Sequence, residues 1–298
     1  MATTRGLLPE VLEPWVSFIL FNEYKRIDLQ YTKLFKVESS DKAFEDAFKV
    51  AGLGTFVLKA EGSPITYDDP VQGPRRRITH STYALGFRCT EEMMDDDQHG
   101  IVSQMPKDLG DSLRDHQEQV AAQIWNLAFV ATSFTTMDAQ ALCADTHVEL
   151  RTGNTVSNEL TPGVALSHDG IESMLIQIHT TNNDQGRPIS LTPKKLIVHP
   201  NNFYNARRLL ESTQQPGSTE NDINTLNRLG VEIVSYRYLT NTAPWFIQSD
   251  EHKLIWYNRK KPKMDSSTDA QTKDKLFDLR YRASVAPWDW FGVNGSTL

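Results

Sequence analysis

The sequence predicts an α+β chain from three observations: one long helical period between Pro106 and Phe134, an alternation of helical and strand-like segments from 167 to 249, and a half-buried strand pattern around residue 280. In the first, Leu109, Leu113, Val120, Ile124, Leu127 and Ala131 recur at helical intervals, with His116 in the one gap, so they line one face. Pro106 suits a first turn, and Asp108 and Asp111 lie where the positive end of the helix dipole favours carboxylates. From Ala121 onward the apolar residues leave that stripe, which predicts a wet first half and a buried second half.

The other elements follow in chain order. Residues 1–37, with Pro9 and Pro14 interrupting an apolar segment, predict an extended arm with one helical piece. Over Ser39–Ala51 the spacing of Ala43, Phe44, Ala47, Phe48 and Ala51 predicts a short helix, with Glu45 paired to Lys49 and Gly52 as its stop. A long hairpin comes next, with strand-like Phe56–Ala60 and Ile78–Cys89 around a middle punctuated by Gly62, Pro64, Pro70, Gly73 and Pro74. Two strands alone are marginal in water, so this hairpin needs a packing partner, and another subunit can supply it. Thr135–Pro162 reads as loop with short strands.

Ser167 caps a helix whose one face is Ile171, Met174, Leu175 and Ile178, and Gly186-Arg187-Pro188 turns the chain. Leu196–Val198, Val231–Val234 and Trp245–Ile247 read as strands, with a helix from Asn201 or Asn202 and a polar loop over Ser212–Asn227 between them. This alternation predicts a compact α/β unit. Leu254–Tyr257 precedes the basic run Arg259 to Lys263. Phe277, Leu279, Tyr281, Ala283 and Val285 then alternate with polar residues in a strand that ends at Pro287-Trp288-Asp289-Trp290.

A chain of 298 residues, 39% hydrophobic and 23% charged, suits a globular protein of about two domains. No apolar run reaches the ~20 residues of a membrane span, and the start carries no secretory pattern, so neither a membrane nor the secretory route is expected. Cys89 and Cys143 are too few for a disulfide framework, which points to a reducing cytoplasm. The formal net charge of -7 argues against affinity gained by neutralising phosphates.

Chemistry-bearing patterns are sparse. Cys143 and His147 have a metal-like spacing, but zinc needs three or four protein ligands, and Asp95 to His99 lacks the glycine-centred turn of a calcium loop. Nucleotide-binding, nucleophile-elbow and zinc-protease motifs are missing. No catalytic, cofactor-binding or metal residue is therefore nominated. Arg75-Arg76-Arg77 and the run at 259–263 are either a solvated face or a contact to an acidic neighbour. Trp288-Asp289-Trp290 reads as core or interface packing rather than a ligand platform.

In this order the chain resembles a tailed-phage major capsid protein of the Mu-like head group. The resemblance is carried by Tyr31-x-x-Leu34-Phe35, Ser40-x-Lys42-Ala43-x-Glu45, Gly52-x-Gly54, Glu61-Gly62-x-x-Ile65-x-Tyr67-Asp68 and Tyr83-x-x-Gly86-Phe87-x-x-Thr90-Glu91. His147, Ser157-Asn158, Leu166-Ser167, Gly186-Arg187-Pro188, Pro193 and Val198 continue it. It implies the Hong Kong 97 type capsid fold: an N-terminal arm (1–53), an E-loop (54–92), a P-domain (93–162, with a spine helix over 104–134), an A-domain (163–249) and the C-terminal strands of the P-domain (250–298). It also implies a structural, non-enzymatic subunit without cofactor, found in the virion and assembled in the host cytoplasm. Copies of the chain would form hexamers and pentamers of an icosahedral head, with scaffolding, portal and cement proteins as further partners, around double-stranded DNA that is enclosed without specific binding.

On that mapping Arg75, Arg76 and Arg77 lie beyond the hairpin tip, while Glu91, Glu92, Asp95, Asp96 and Asp97 lie at its base. Opposite charges at the two ends of one element suit a head-to-tail ring, so these eight residues are the candidate inter-subunit contacts. An encapsulin-type shell around protein cargo, and a soluble α/β enzyme, are the alternative readings.

Overall fold

The computed structural model describes residues 8–90, 92–93, 100–132, 134–214 and 223–298. The chain divides into two units, each assembled from separated stretches: 1–44, 79–121 and 256–285 form one, and 45–78, 122–255 and 286–298 the other.

The first unit is built on a four-stranded sheet ordered β1 (Lys36–Ser39), β10 (Leu254–Thr268), β11 (Lys275–Pro287), β4 (Ser81–Cys89). β4 and β11 pair antiparallel from Ser81 opposite Ala283 to Cys89 opposite Lys275, which stacks Phe87 on Phe277 with centroids 5.0 Å apart. The predicted alternation in β11 holds, since Phe277, Leu279, Tyr281, Ala283 and Val285 are all buried. Helix α1 (Leu8–Tyr24) contributes buried Val16 and Leu20. It comes so close to the long helix α3 (Ile101–Asn126) that a Cβ on Gly110 would lie 2.7 Å from the Leu20 carbonyl. Short helix α2 (Tyr31–Leu34) is fixed by the buried Glu118 carboxylate of α3, which accepts from the backbone N–H groups of Gln30 and Tyr31.

α3 starts five residues before Pro106, after Gly100 at φ +71°, and ends at Asn126 rather than running to 134. Asn126 stops it by donating to the Tyr238 carbonyl and accepting from Thr240 N–H. Beyond it the chain turns: Ala128 is buried and Phe129 stacks on Phe246, while Val130 is exposed. The second half is buried as expected, at Gln117, Glu118, Val120–Ala122, Ile124 and Trp125, but the first half is not wet throughout, since Val102, Leu109 and Leu113 are buried as well.

His116 does fill its gap in the apolar face. Its Nδ1 is 2.6 Å from the Tyr281 hydroxyl and its ring packs edge-on to Tyr83 at 4.6 Å. Burial lowers its pKa, so the neutral ring is the folded form. Its stabilising share is complete above the unfolded histidine pKa and is lost as pH falls through the depressed folded value. Acid unfolding of His116→Gln should therefore show a weaker dependence on pH below about 6.5 than the wild type, and identical pH profiles would refute this.

The second unit contains a mixed sheet ordered β12 (Val293–Ser296), β9 (Trp245–Ser249), β7 (Pro193–Val198), β8 (Glu232–Ser235). β7 and β8 are parallel, while β9 is antiparallel to both β7 and β12. Helix α4 (His168–Thr180) has the expected cap, Ser167 Oγ accepting from Gly170 N–H, and buries all four predicted residues. With α5 (Phe203–Glu211) it covers a core that includes Leu196, Val198, Leu209, Leu210, Trp245 and Ile247. β12 was not foreseen, because its Asn, Gly and Ser carry no strand signature.

Two local expectations are overturned. Ser39–Ala51 is not helical: it contains the end of β1 and strand β2 (Phe44–Ala51), which pairs with β3 (Val71–Thr79). On a strand Glu45 and Lys49 are too far apart to pair, and Lys49 meets Asp184 and Asp289 instead. Nor do Phe56–Ala60 and Ile78–Cys89 form a hairpin, since 52–60 holds no strand and β4 pairs with β11.

Candidate assembly surfaces

Segment 52–70 joins β2 to β3 and exposes its apolar side chains: Phe56 and Leu58 fully, Tyr67, Val57 and Ile65 largely. Such exposed apolar side chains make the segment a candidate contact surface. The loop is nonetheless fastened at its base. Arg151 donates to the carbonyls of Gly52 (3.1 Å) and Asp69 (3.3 Å) and pairs with Asp68, while Arg187 donates to the carbonyls of Leu53 and Gly54. Gly54 N–H closes the neck by donating to Asp68 Oδ2 at 2.7 Å.

The arginines are positioned by turns. Asn183 Oδ1 accepts from the N–H groups of Gln185 and Arg187, with Gly186 at φ +73°, where a side chain is disfavoured. Arg151 N–H donates to the Asp184 carbonyl. A cleft of about 620 Å³ in the first unit, lined by Tyr83, Leu85, Leu109, Leu113, His116 and Leu279 among others, is a second apolar surface.

Of the eight nominated contacts, Arg75 and Arg77 project from one face of β3 and both grip Asp46 of β2; Arg77 does so in bidentate fashion at 3.0 and 2.9 Å. Hydrogen bonds from Arg77 and Arg75 hold the Asp46 pKa down to about 2. Both guanidiniums remain more than half exposed. Arg76 points to the other face, where burial lowers its pKa and the charge of Asp138 opposes that. Glu92 is exposed. Glu91, Asp95, Asp96 and Asp97 lie outside the described residues. Sequence reasoning missed Asp46, Arg151 and Arg187 as functional residues. Only the Gly186-Arg187-Pro188 turn signalled one of them.

Cys143 and His147 are core residues. Burial pushes the Cys143 thiol up, and His147 Nδ1 is 2.6 Å from Asp138 while its ring stacks on Trp290 at 4.8 Å. His168, Asp169 and Glu172 gather at the first turn of α4. The pattern fits a metal poorly, because the buried Nε2 of His168 has no acceptor, whereas a ligating imidazole normally donates from its other nitrogen.

A long helix, an open four-stranded sheet and an exposed, base-fastened loop define a structural subunit of the Hong Kong 97 type. A family model described as phage capsid protein matches residues 75–293, well over half of the chain, and the chain belongs to that family. It is a structural capsid protein of the phage head. No curated protein matches the sequence.

Solved structures share the fold at low identity. The capsid of cyanophage P-SCSP1u gives a TM-score of 0.59 at 12% identity, covering 88% of this chain and 85% of that one. The procapsid of bacteriophage JBD30 gives 0.53 at 12%, covering 99% and 76%. The holo-SrpI encapsulin complex of Synechococcus elongatus PCC 7942 gives 0.53 at 10%, covering 91% and 88%.

Proposed function

We propose that the chain assembles with copies of itself into hexamers and pentamers that close as an icosahedral head around double-stranded DNA, and that it does so without catalysis or cofactor. The observation that carries this reading is the 52–70 loop, apolar and exposed yet tied down by Arg151 and Arg187. The loop has the character of a preformed arm awaiting a second copy. Scaffolding, portal and cement proteins are the further partners, and assembly takes place in the host cytoplasm.

On this reading residues 1–53 are the arm, 54–92 the E-loop, 93–162 and 250–298 the P-domain and 163–249 the A-domain; its loop over 212–227, of which 215–222 lie outside the described residues, would meet its copies at the five-fold and six-fold centres. The net charge of -7 suits a container that holds DNA without gripping it. Sedimentation and negative-stain imaging of the purified protein test the proposal. Closed shells or capsomers are expected, and a monomer under every assembly condition refutes it. Shells that carry protein cargo and no DNA would favour the encapsulin-type alternative.

Arg75, Arg76 and Arg77, with Glu91, Glu92, Asp95, Asp96 and Asp97, remain the proposed charged contacts between copies. Arg75 and Arg77 stay more than half exposed beside Asp46, within reach of an acidic neighbour. Each exposed pair contributes only about 0.2 to 1 kcal/mol, enough to set register when repeated around a ring. Replacing Arg75 and Arg77 with Gln should leave circular dichroism unchanged and slow assembly, most at low salt. Unaltered assembly kinetics at low salt would count against the contact.

A further inference from the structure

The inward face of β2 carries a lysine. The Lys49 side chain is only 8% exposed, and its Nζ lies 2.9 Å from Asp184 Oδ1 and 3.1 Å from Asp289 Oδ1. The ring centroid of Phe291 is 4.8 Å from the same nitrogen and that of Trp290 5.9 Å. One ammonium against two carboxylates leaves an unbalanced negative charge in a site largely shielded from water. Burial resolves the imbalance by pushing up the pKa of the Asp289 carboxyl, against the opposing pull of Lys49. A buried carboxyl, an amine 3.1 Å from its oxygen and a second carboxylate 2.9 Å from that amine are the reactants and the proton carrier for amide formation.

We propose that Lys49 and Asp289 become joined by an intrachain isopeptide bond, with Asp184 carrying the protons. With both carboxyls ionised their charges outweigh burial and raise the pKa of the amine, so the reactive state is the one in which Asp289 has taken a proton from solvent and Asp184 accepts one from Nζ. The freed lone pair attacks Cγ of the protonated Asp289 carboxyl and forms the N–C bond. Asp184 returns its proton to the Cγ hydroxyl as the C–O bond breaks, and water leaves. Asp184 then takes the second proton from the new amide nitrogen and releases it to solvent. Lysine ammonium and carboxylic acid thus give amide, water and a proton, with no oxidant, nucleotide or cofactor. Shielding from water favours the condensed product over its hydrolysis.

The bond would lock β2, which leads directly into the exposed loop, to segment 286–291 of the same unit. The inference uses contacts within a single chain and stands whether or not shells form. Intact mass spectrometry of the denatured full chain tests it. The wild type should be one water lighter than its sequence, with a branched peptide joining Lys49 to Asp289 after proteolysis, while Lys49→Arg and Asp184→Asn should show the full sequence mass. A wild type at full mass overturns the proposal. So does a missing water that maps elsewhere, such as a succinimide at Asp169-Gly170.

Discussion

Replacing Phe56 and Leu58 together with Asp is expected to abolish shell assembly while leaving thermal unfolding of the subunit unchanged. Both side chains are fully exposed, so neither contributes to the core, and surface substitutions of this kind stay within about 0.5 kcal/mol. In an assembled contact the same side chains would each gain about 1.5–3 kcal/mol from burial, and a buried carboxylate would add a further penalty. The loss recurs at every copy of a closed ring, so a modest defect per contact removes the whole assembly. Sedimentation velocity reads the assembly and scanning calorimetry reads the fold. A double variant that still forms shells at wild-type concentrations would show that 52–70 is not the assembly arm.

The second large effect is expected inside the fold. Asn158 is 1% exposed, donates from Nδ2 to the carbonyls of Leu142 and Val293 at 2.8 Å each, and accepts at Oδ1 from Ala144 N–H at 2.8 Å. Its backbone donates to the Ala144 carbonyl and accepts from Gly295 N–H. One side chain thus ties 142–144 to the segment that becomes β12. Asn158→Leu would strand two carbonyls and one N–H without water, at about 1–3 kcal/mol each, for a total on the order of 3–5 kcal/mol. Urea unfolding should show a correspondingly lower midpoint. A shift under about 0.5 kcal/mol would mean that the neighbouring backbone finds other partners.

What the sequence made legible follows from how local each signal is. α4 could be read because its cap and its four buried residues fall within thirteen positions, and β11 because its alternation is uninterrupted. β2 misled because Ala43, Phe44, Ala47, Phe48 and Ala51 fit a helical period, while its true pattern is inverted: Glu45 and Lys49 face inward, and Phe48 and Val50 face outward. Only the distant Asp184 and Asp289 make an inward Lys49 tolerable. The same distance hid the rest of the candidate site. Arg151 reaches back to Gly52 and Arg187 to Leu53, and Asp46 is one aspartate among many until β3 lies beside it. The long helix, the α/β unit and the closing strand could be read in order, whereas the short helix and the hairpin between the arm and the long helix could not, because β2 pairs with β3 and β4 with the distant β11.

The pairing of β4 with β11 also sets a clock. Ser81 to Cys89 leave the ribosome long before Lys275 to Ala283 exist. At ~5–20 residues per second the earlier strand waits on the order of ten to forty seconds for its partner. During that time its edge N–H and C=O groups and the Phe87 ring are open to other nascent chains. β9 waits for β12 in the same way, though more briefly. A protein made in very many copies at once, each holding an unfinished sheet, therefore depends on its concentration while being translated as much as on its finished stability. Lowering the number of chains translated at once should raise soluble yield.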